Sequence, residues 1–186
     1  MKLKSLALLG LLAMISAPAV AANYSQLPGS TLAFATKYQG ETFTGRFGQF
    51  STRLSLDPKN LTTAKLQVSI NMRTASTNDK ERDGYLNGAD FFDPSRFATA
   101  TFTSSDIKSS GGNQYVANGT LTLRGVSKPV TFKFSLVPNA RGALLNGSAI
   151  VRRLDYGVGG SKDWRDVSVI PNEVAVSTRV NLKKVP

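Results

Sequence analysis

A period of two runs through most of this chain, and no other feature restricts the fold as strongly. Ala64, Leu66, Val68, Ile70 and Met72 alternate with Lys65, Gln67, Ser69 and Asn71. Extended, that segment has one apolar and one wet face. The alternation returns at Leu32, Phe34 and Tyr38, at Leu54 and Leu56, at Leu121 and Leu123, and at Val130, Phe132, Phe134 and Leu136. It returns again at Leu145, Gly147, Ala149 and Val151, and at Val174, Val176, Thr178, Val180 and Leu182. Gly, Pro and Asn at 57–60, 109–113, 127–129 and 138–142 mark turns between the runs. Such spacing is that of hairpins, so about eight strands are expected, antiparallel to their neighbours.

Only one face of each strand can be buried. A single sheet curled onto itself buries all of these faces, and eight strands enclose an interior that packs solid or holds one small ligand. A two-sheet sandwich would use the same pattern. Long first and last strands favour closure, because each needs a partner. The expected class is all-β, an eight-stranded antiparallel barrel.

Between Met72 and Thr101 the alternation stops. Thr77 or Asn78, followed by Asp79, Glu81 and Asp83, predicts a capped short helix with acids in its first turns. Leu86, Phe91 and Phe92 supply an apolar plug, and Asp93-Pro94 opens a second turn or short helix. A helical insertion at about residues 78–97 is expected, bordering or plugging one end of the barrel.

The N-terminus follows other rules. Lys2 and Lys4, the apolar run 5–15 and Ala19-Val20-Ala21 form a Sec-type signal with an apolar stretch too short to span a bilayer. Residues 1–22 are expected to be a cleaved signal peptide and 23–186 a single domain, soluble in a bacterial periplasm. With no Cys in the chain, neither a lipoprotein anchor nor a disulfide is available.

The formal charge of +11 is scattered and contains no long run of one sign. Solvated surface charge is the simplest reading, and weak transient attraction to an anionic membrane surface is the other. Nucleic acid is not an expected partner in an exported protein. No outward aromatic stripe specifies an oligomeric state.

Much chemistry is excluded outright. The chain has no His and no Cys, so a Ser-His-Asp triad, a thiol nucleophile and nitrogen- or sulfur-ligated zinc are ruled out. Asp79 and Asp83, four apart, could share a helix face as a hydrolytic carboxylate pair, although acids there also complement a helix dipole. Asp155, Asp163, Arg165 and Asp166 lie in a Gly-rich loop near Trp164 and read as loop charge. No catalytic residue, metal or cofactor is expected. Strand parity directs Phe34, Leu66, Val68, Ile70, Phe102, Leu121, Leu123, Phe132, Phe134, Val174 and Val176 inward, as core or cavity lining. It directs Arg153 inward as well, either toward a ligand head group or to solvent and Asp155.

The order of motifs adds a resemblance. FTGRFGQF at 43–50, LDP at 56–58, LQVSINMRTAST at 66–77, LNGADFFDPSRF at 86–97, GTLTLRGVSKPVTFKF at 119–134, RLDYGVG at 153–159 and VAVSTRVNL at 174–182 follow one another. Together they resemble the YceI family of exported lipid-binding barrels over essentially the whole mature length. The resemblance implies a lipocalin-like barrel with a helical insert and an apolar tunnel for polyisoprenoid or other long-chain amphiphiles. It implies binding and not catalysis. Many members carry a His near the position of Tyr38, and a Pro-Thr where this chain has Ala98-Thr99. The expected function is capture of a long isoprenoid, isoprenoid-quinone or acyl chain. The rivals are an interaction module with a filled core and a carboxylate hydrolase.

Overall fold

The computed structural model describes residues 21–185. The expected signal peptide, as far as residue 20, lies outside the described residues. Eleven strands form one sheet: β1 (Ala22–Gln26), β2 (Thr31–Tyr38), β3 (Glu41–Phe47), β4 (Phe50–Asp57), β5 (Asn60–Asn71), β6 (Ala75–Ser76), β7 (Thr99–Gly111), β8 (Gln114–Leu123), β9 (Val126–Asn139), β10 (Gly142–Arg152) and β11 (Glu173–Val185). Three pairs are single staves interrupted by a kink. β1 and β2 both run along β11, β3 continues into β4, and β5 continues through a 3-10 turn (Met72–Thr74) into β6. The result is an eight-stave antiparallel meander, closed where β11 meets β1, β2 and β10. The expected barrel is what forms.

The first kink is readable in chemistry. Pro28 has no N–H for the ladder, and the break at 27–30 is bridged from β11. Leu27 N–H donates to Asn181 O at 2.7 Å, Asn181 N–H donates to Ser30 Oγ at 3.1 Å, and the Asn181 amide donates to Gly29 O at 3.2 Å. The second kink, at Gly48-Gln49, is held by Thr74, whose backbone and side-chain oxygens accept from Gly48 N–H and Gln49 N–H.

A meander sends its connections alternately to the two ends. The turns at 58–59, 112–113 and 140–141 and both termini of the barrel share one end. The turns at 39–40 and 124–125 share the other with two long insertions, 77–98 and 153–172. Helical structure in the first insertion is shorter than expected. Its one α-helix, α1 (Lys80–Asn87), is capped by Asp79, whose side chain accepts from Arg82 N–H at 3.0 Å; Thr77 and Asn78 do not cap it. Residues 88–97 are turns, because Asp93 adopts φ 45 and folds Phe97 N–H back onto its own carbonyl at 2.9 Å. The second insertion contains a 3-10 turn (Arg153–Tyr156). Among the described residues no helix is long and apolar enough to cross a membrane.

The end opposite the insertions has a solid core. Leu54, Leu56, Ile107, Tyr115, Ala117, Phe134, Leu136, Ala143 and Leu182 are all buried there, and Tyr115 stacks on Phe134 with ring centroids 5.3 Å apart. Each fully buried Leu or Phe contributes about 1.5–3 kcal/mol. Inward glycines make room for rings from the neighbouring stave. A Cβ on Gly45 would lie 2.2 Å from the Phe34 ring, and one on Gly147 would lie 2.1 Å from the Phe132 ring. Both rings border the barrel's interior space, so glycine is a packing requirement here.

Gly45→Ala is therefore expected to displace Phe34 and lower stability by about 1–3 kcal/mol. Chemical denaturation of the purified variant measures this directly. An unchanged midpoint would show that the ring moves aside without cost.

Candidate functional site

Beneath the two insertions the barrel is hollow. On β7, β9, β10 and β11 several inward side chains at this end are small or β-branched: Ala100, Val130, Ala149, Val151, Val174, Val176 and Thr178. They leave a cavity of about 190 Å³. An engineered apolar cavity of roughly 150 Å³ stays dry and takes up benzene, so this space suits a hydrocarbon group. Its walls are almost wholly apolar, with Thr36, Thr52, Thr178 and Arg153 as the polar members.

Of the residues expected to face a cavity, Phe34, Leu66, Val68, Ile70, Leu86, Phe91, Phe92, Phe102, Leu121, Leu123, Phe132, Val174 and Val176 line it together. Phe134 does not. It points inward as parity requires, but lies one level deeper, stacked between Tyr115 and Phe132 at 5.3 and 5.7 Å. Parity fixes the face of a strand residue and not its height in the barrel. Sequence reasoning missed Phe43, Phe47 and Phe50, which also line the space. The FTGRFGQF motif was the available signal, since Phe43 and Phe47 flank Gly45 on one face of β3.

The insertions form a cap. Phe92 from the first meets Phe34 and Phe47 of the wall at centroid distances of 6.3 and 5.9 Å. Trp164 from the second packs edge-on against Tyr85 at 5.2 Å and Phe91 at 5.3 Å, locking the two insertions together. Arg124, in the turn between β8 and β9, donates to Ala89 O and Asp90 O of the first insertion and to Gly157 O of the second. The ladder between β9 and β10 ends at Lys133 and Ser148, so the upper ends of these two staves separate just below the cap.

Arg153 corrects the expectation set for it. Only 3 % exposed, it lines the cavity, but its side chain serves the cap. Nε donates to Pro171 O at 3.1 Å, Nη1 to Val158 O and Gly159 O at 3.0 and 2.8 Å, and Nη2 to Trp164 O and Ile170 O at 2.9 and 2.7 Å. A guanidinium has five N–H donors, and all five are spent on backbone carbonyls, leaving none for a head group. The Asp155 alternative fails as well, since Asp155 pairs with Arg152 at 3.6 Å. Burial pulls the Arg153 pKa down, yet a guanidinium remains charged at any physiological pH.

The acids of α1 are equally committed. Asp79 caps the helix. Asp83 accepts from Thr77 N–H at 2.6 Å, Ser76 Oγ at 2.7 Å and Thr77 Oγ1 at 2.8 Å. Burial alone would raise its pKa. The three hydrogen bonds and the nearby Arg82 charge outweigh that and hold it below the ordinary value of 3.8. Asp166 is likewise lowered, by the Ser168 hydroxyl and N–H.

The chain is thus a closed antiparallel barrel with a capped apolar chamber. The comparisons sharpen this. The YceI-like domain matches residues 26–182, and the chain belongs to that family. A UPF0312 protein of Vibrio cholerae is 32% identical over 167 residues, covering 83% of this chain and 88% of its own. Another, from Pseudomonas aeruginosa, is 36% identical over 132 residues, 67% of this chain and 69% of its own. Among solved structures, BcnA of Burkholderia cenocepacia superposes with a TM-score of 0.77 at 28% identity, over 81% of this chain and 94% of its own. A polyisoprenoid binding domain from Saccharophagus degradans shares the fold at a TM-score of 0.66 and 17% identity, over 89% and 99% of the two chains.

Two outcomes are expected. Arg153→Lys retains three donors and strands carbonyls in the cap, so it should cost about 3 kcal/mol or more. It should open 157–171 to proteolysis and weaken charged and neutral ligands alike. A selective loss of charged ligands would restore a head-group role. Asp83, with its lowered pKa, stabilises the fold fully above 3.8 and loses that contribution as pH falls through its folded-state value. Amide-exchange protection over 76–88 should therefore drop as the pH is lowered past 3.8 in the wild type, and Asp83→Asn should start low and show little of that dependence.

Proposed function

We propose that this protein is an exported carrier that sequesters a long-chain amphiphile of polyisoprenoid, isoprenoid-quinone or fatty-acyl type. The observation that carries this reading is the hollow upper half. A fold that fills its lower half with Leu, Phe and Tyr leaves apolar space beneath a purpose-built cap. Unfilled apolar volume costs stability, and a ligand occupying it recovers that cost. Each CH₂ transferred from water contributes about 0.8 kcal/mol, so ten such groups give firm retention. The polyisoprenoid binding domain of Saccharophagus degradans, alike in fold, supports the ligand class.

A chain drawn from a membrane needs a place to meet it. The capped end offers Tyr38, Tyr85 and Val167 at 41, 48 and 54% exposure. Lys37, Lys162 and Arg165 lie within a few residues of them in sequence. This suits brief contact with an anionic surface, with cap and separated β9–β10 ends facing the lipid. The signal sequence at 1–22 supports export to the periplasm. Asp79 and Asp83, the strongest dyad for a hydrolase, already serve as cap and anchor for α1. The hollow interior likewise disfavours a filled-core interaction module.

Native mass spectrometry of the mature protein, purified from an exporting host without detergent, tests the reading. A stoichiometric prenyl or acyl adduct is expected, released by organic extraction. A clean apo mass together with no uptake of offered lipid would overturn it.

A further inference from the structure

Above the pair Lys133–Ser148 the ladder between β9 and β10 stops. From there residues 126–132 are laddered only to β8, and residues 149–152 only to β11. Val130 and Phe132 on one edge, and Ala149 and Val151 on the other, line the cavity. Two free strand edges therefore stand against the hollow half and not against packed core. Pro129 lies in the free stretch of β9, and proline, which has no N–H to give a ladder, belongs on such an edge. Lys128 shares the inward parity of Val130 and pairs with the cavity-lining Leu121, yet it is exposed. Its ammonium reaches water from the inner face of β9.

At rest the seam is shut by side chains and a turn. The Phe132 ring reaches across its foot to Gly147 of β10, where an added Cβ would lie 2.1 Å away. The 3-10 turn Arg153–Tyr156 returns against β9. Parting the two edges between these limits breaks no ladder hydrogen bond. The other ways into the chamber are closed more firmly. Lifting the cap breaks the five hydrogen bonds of Arg153 and the three of Arg124, all from charged donors, and withdraws Trp164 from between Tyr85 and Phe91. The opposite end is packed with Leu54, Tyr115, Phe134 and Leu182.

We propose that the β9–β10 seam is the ligand's doorway: a single acyl or prenyl chain slides sideways into the chamber there, displacing Phe132, while the cap stays closed and the head group remains at the seam. The cavity offers a head group almost no polar wall, and the donors of Arg153 are already engaged. Drawing the head inside would strip its water without replacement. At the seam the free N–H and C=O groups of both edges are available to it. This deepens the lipid-carrier reading and rests on it.

A cross-link tests the doorway. Carried two residues past Lys133–Ser148, the β9–β10 register sets Thr131 opposite Ile150, the latter outward and 55 % exposed. The chain has no Cys, so Thr131→Cys with Ile150→Cys, bridged by bismaleimidoethane and verified by mass, pins this seam alone. Ser135→Cys with Asn146→Cys, a pair inside the ladder, is the control. Stopped-flow fluorescence follows uptake of cis-parinaric acid by the mature protein. The seam bridge should slow uptake and release by roughly tenfold or more; the control bridge and the unbridged variants should keep the wild-type rates. Dodecyl maltoside, whose head is too large to follow its chain, should displace the probe as well as dodecanol does. Wild-type rates in the bridged seam, or equal slowing by both bridges, would overturn the doorway and leave lipid binding intact. Displacement by dodecanol but not by dodecyl maltoside would overturn the placement of the head. No uptake by the wild type would overturn the lipid-carrier reading as well.

Discussion

Closure through β11 is the constraint on which everything else depends. A strand at the edge of a sheet exposes a row of unpaired backbone groups, and an open eight-stave meander would have two such edges and an uncovered apolar face. β11 removes both faults. It pairs with β10 along nearly its whole length on one side, and with β2 and then β1 on the other. Because the first stave kinks at Pro28, the seam cannot be an uninterrupted ladder. Asn181 replaces the lost continuity, offering its carbonyl, its N–H and its side-chain amide across the break. Only when the ring is complete does an inside exist, and only then can inward residues divide into a core and a chamber.

The chamber's lid depends on two arginines, of which Arg153 is buried. Loops 77–98 and 153–172 have little regular structure, and backbone carbonyls turned toward an apolar interior would be costly without donors. Arg153 and Arg124 supply those donors. Arg153 gathers five contacts from residues 158–171, and Arg124 ties both insertions to the β8–β9 turn. Guanidinium groups suit this task, being planar, multi-donor and permanently protonated. Trp164, wedged between Tyr85 and Phe91, adds the apolar half of the same joint. The lid's guanidinium donors thus keep their charge near neutrality, and the two acids held below their ordinary pKa, Asp83 and Asp166, lie outside the contacts those donors make.

Alternation made the walls legible. The run 64–72 and the run 174–182 both declared their inward faces, and the loss of period after Met72 located the first insertion. β3 escaped notice because Glu41–Phe47 carries Gly45 and charged residues where a strand pattern would show branched side chains, a sequence shaped by the ring of Phe34. Phe134 shows the limit of parity, which gives direction without height. Arg153 shows another limit. Its inward direction followed from Ala149 and Val151, but its partners are loop carbonyls five to eighteen residues further on, and no side-chain pattern announces carbonyl positions.

Why the barrel is hollow at one end only follows from side-chain volume along its axis. A stave count sets the circumference, and eight staves leave an interior that large side chains can just fill. At the uncapped end the inward positions carry Leu54, Leu56, Ile107, Tyr115, Phe134 and Leu182, and the space closes. Toward the cap β7, β9, β10 and β11 carry Ala100, Val130, Ala149, Val151, Val174 and Val176, while Gly45 and Gly147 lie under the rings of Phe34 and Phe132. Leucine at three or four of those positions would fill the chamber and stabilise the fold by the ordinary rules of core packing. The chain forgoes that stability at each of those positions, on several different staves, and spends two arginines on covering the space that results. Forgoing it at one stave would be an accident of packing; forgoing it on four of the eight staves fits a chamber shaped to take a ligand.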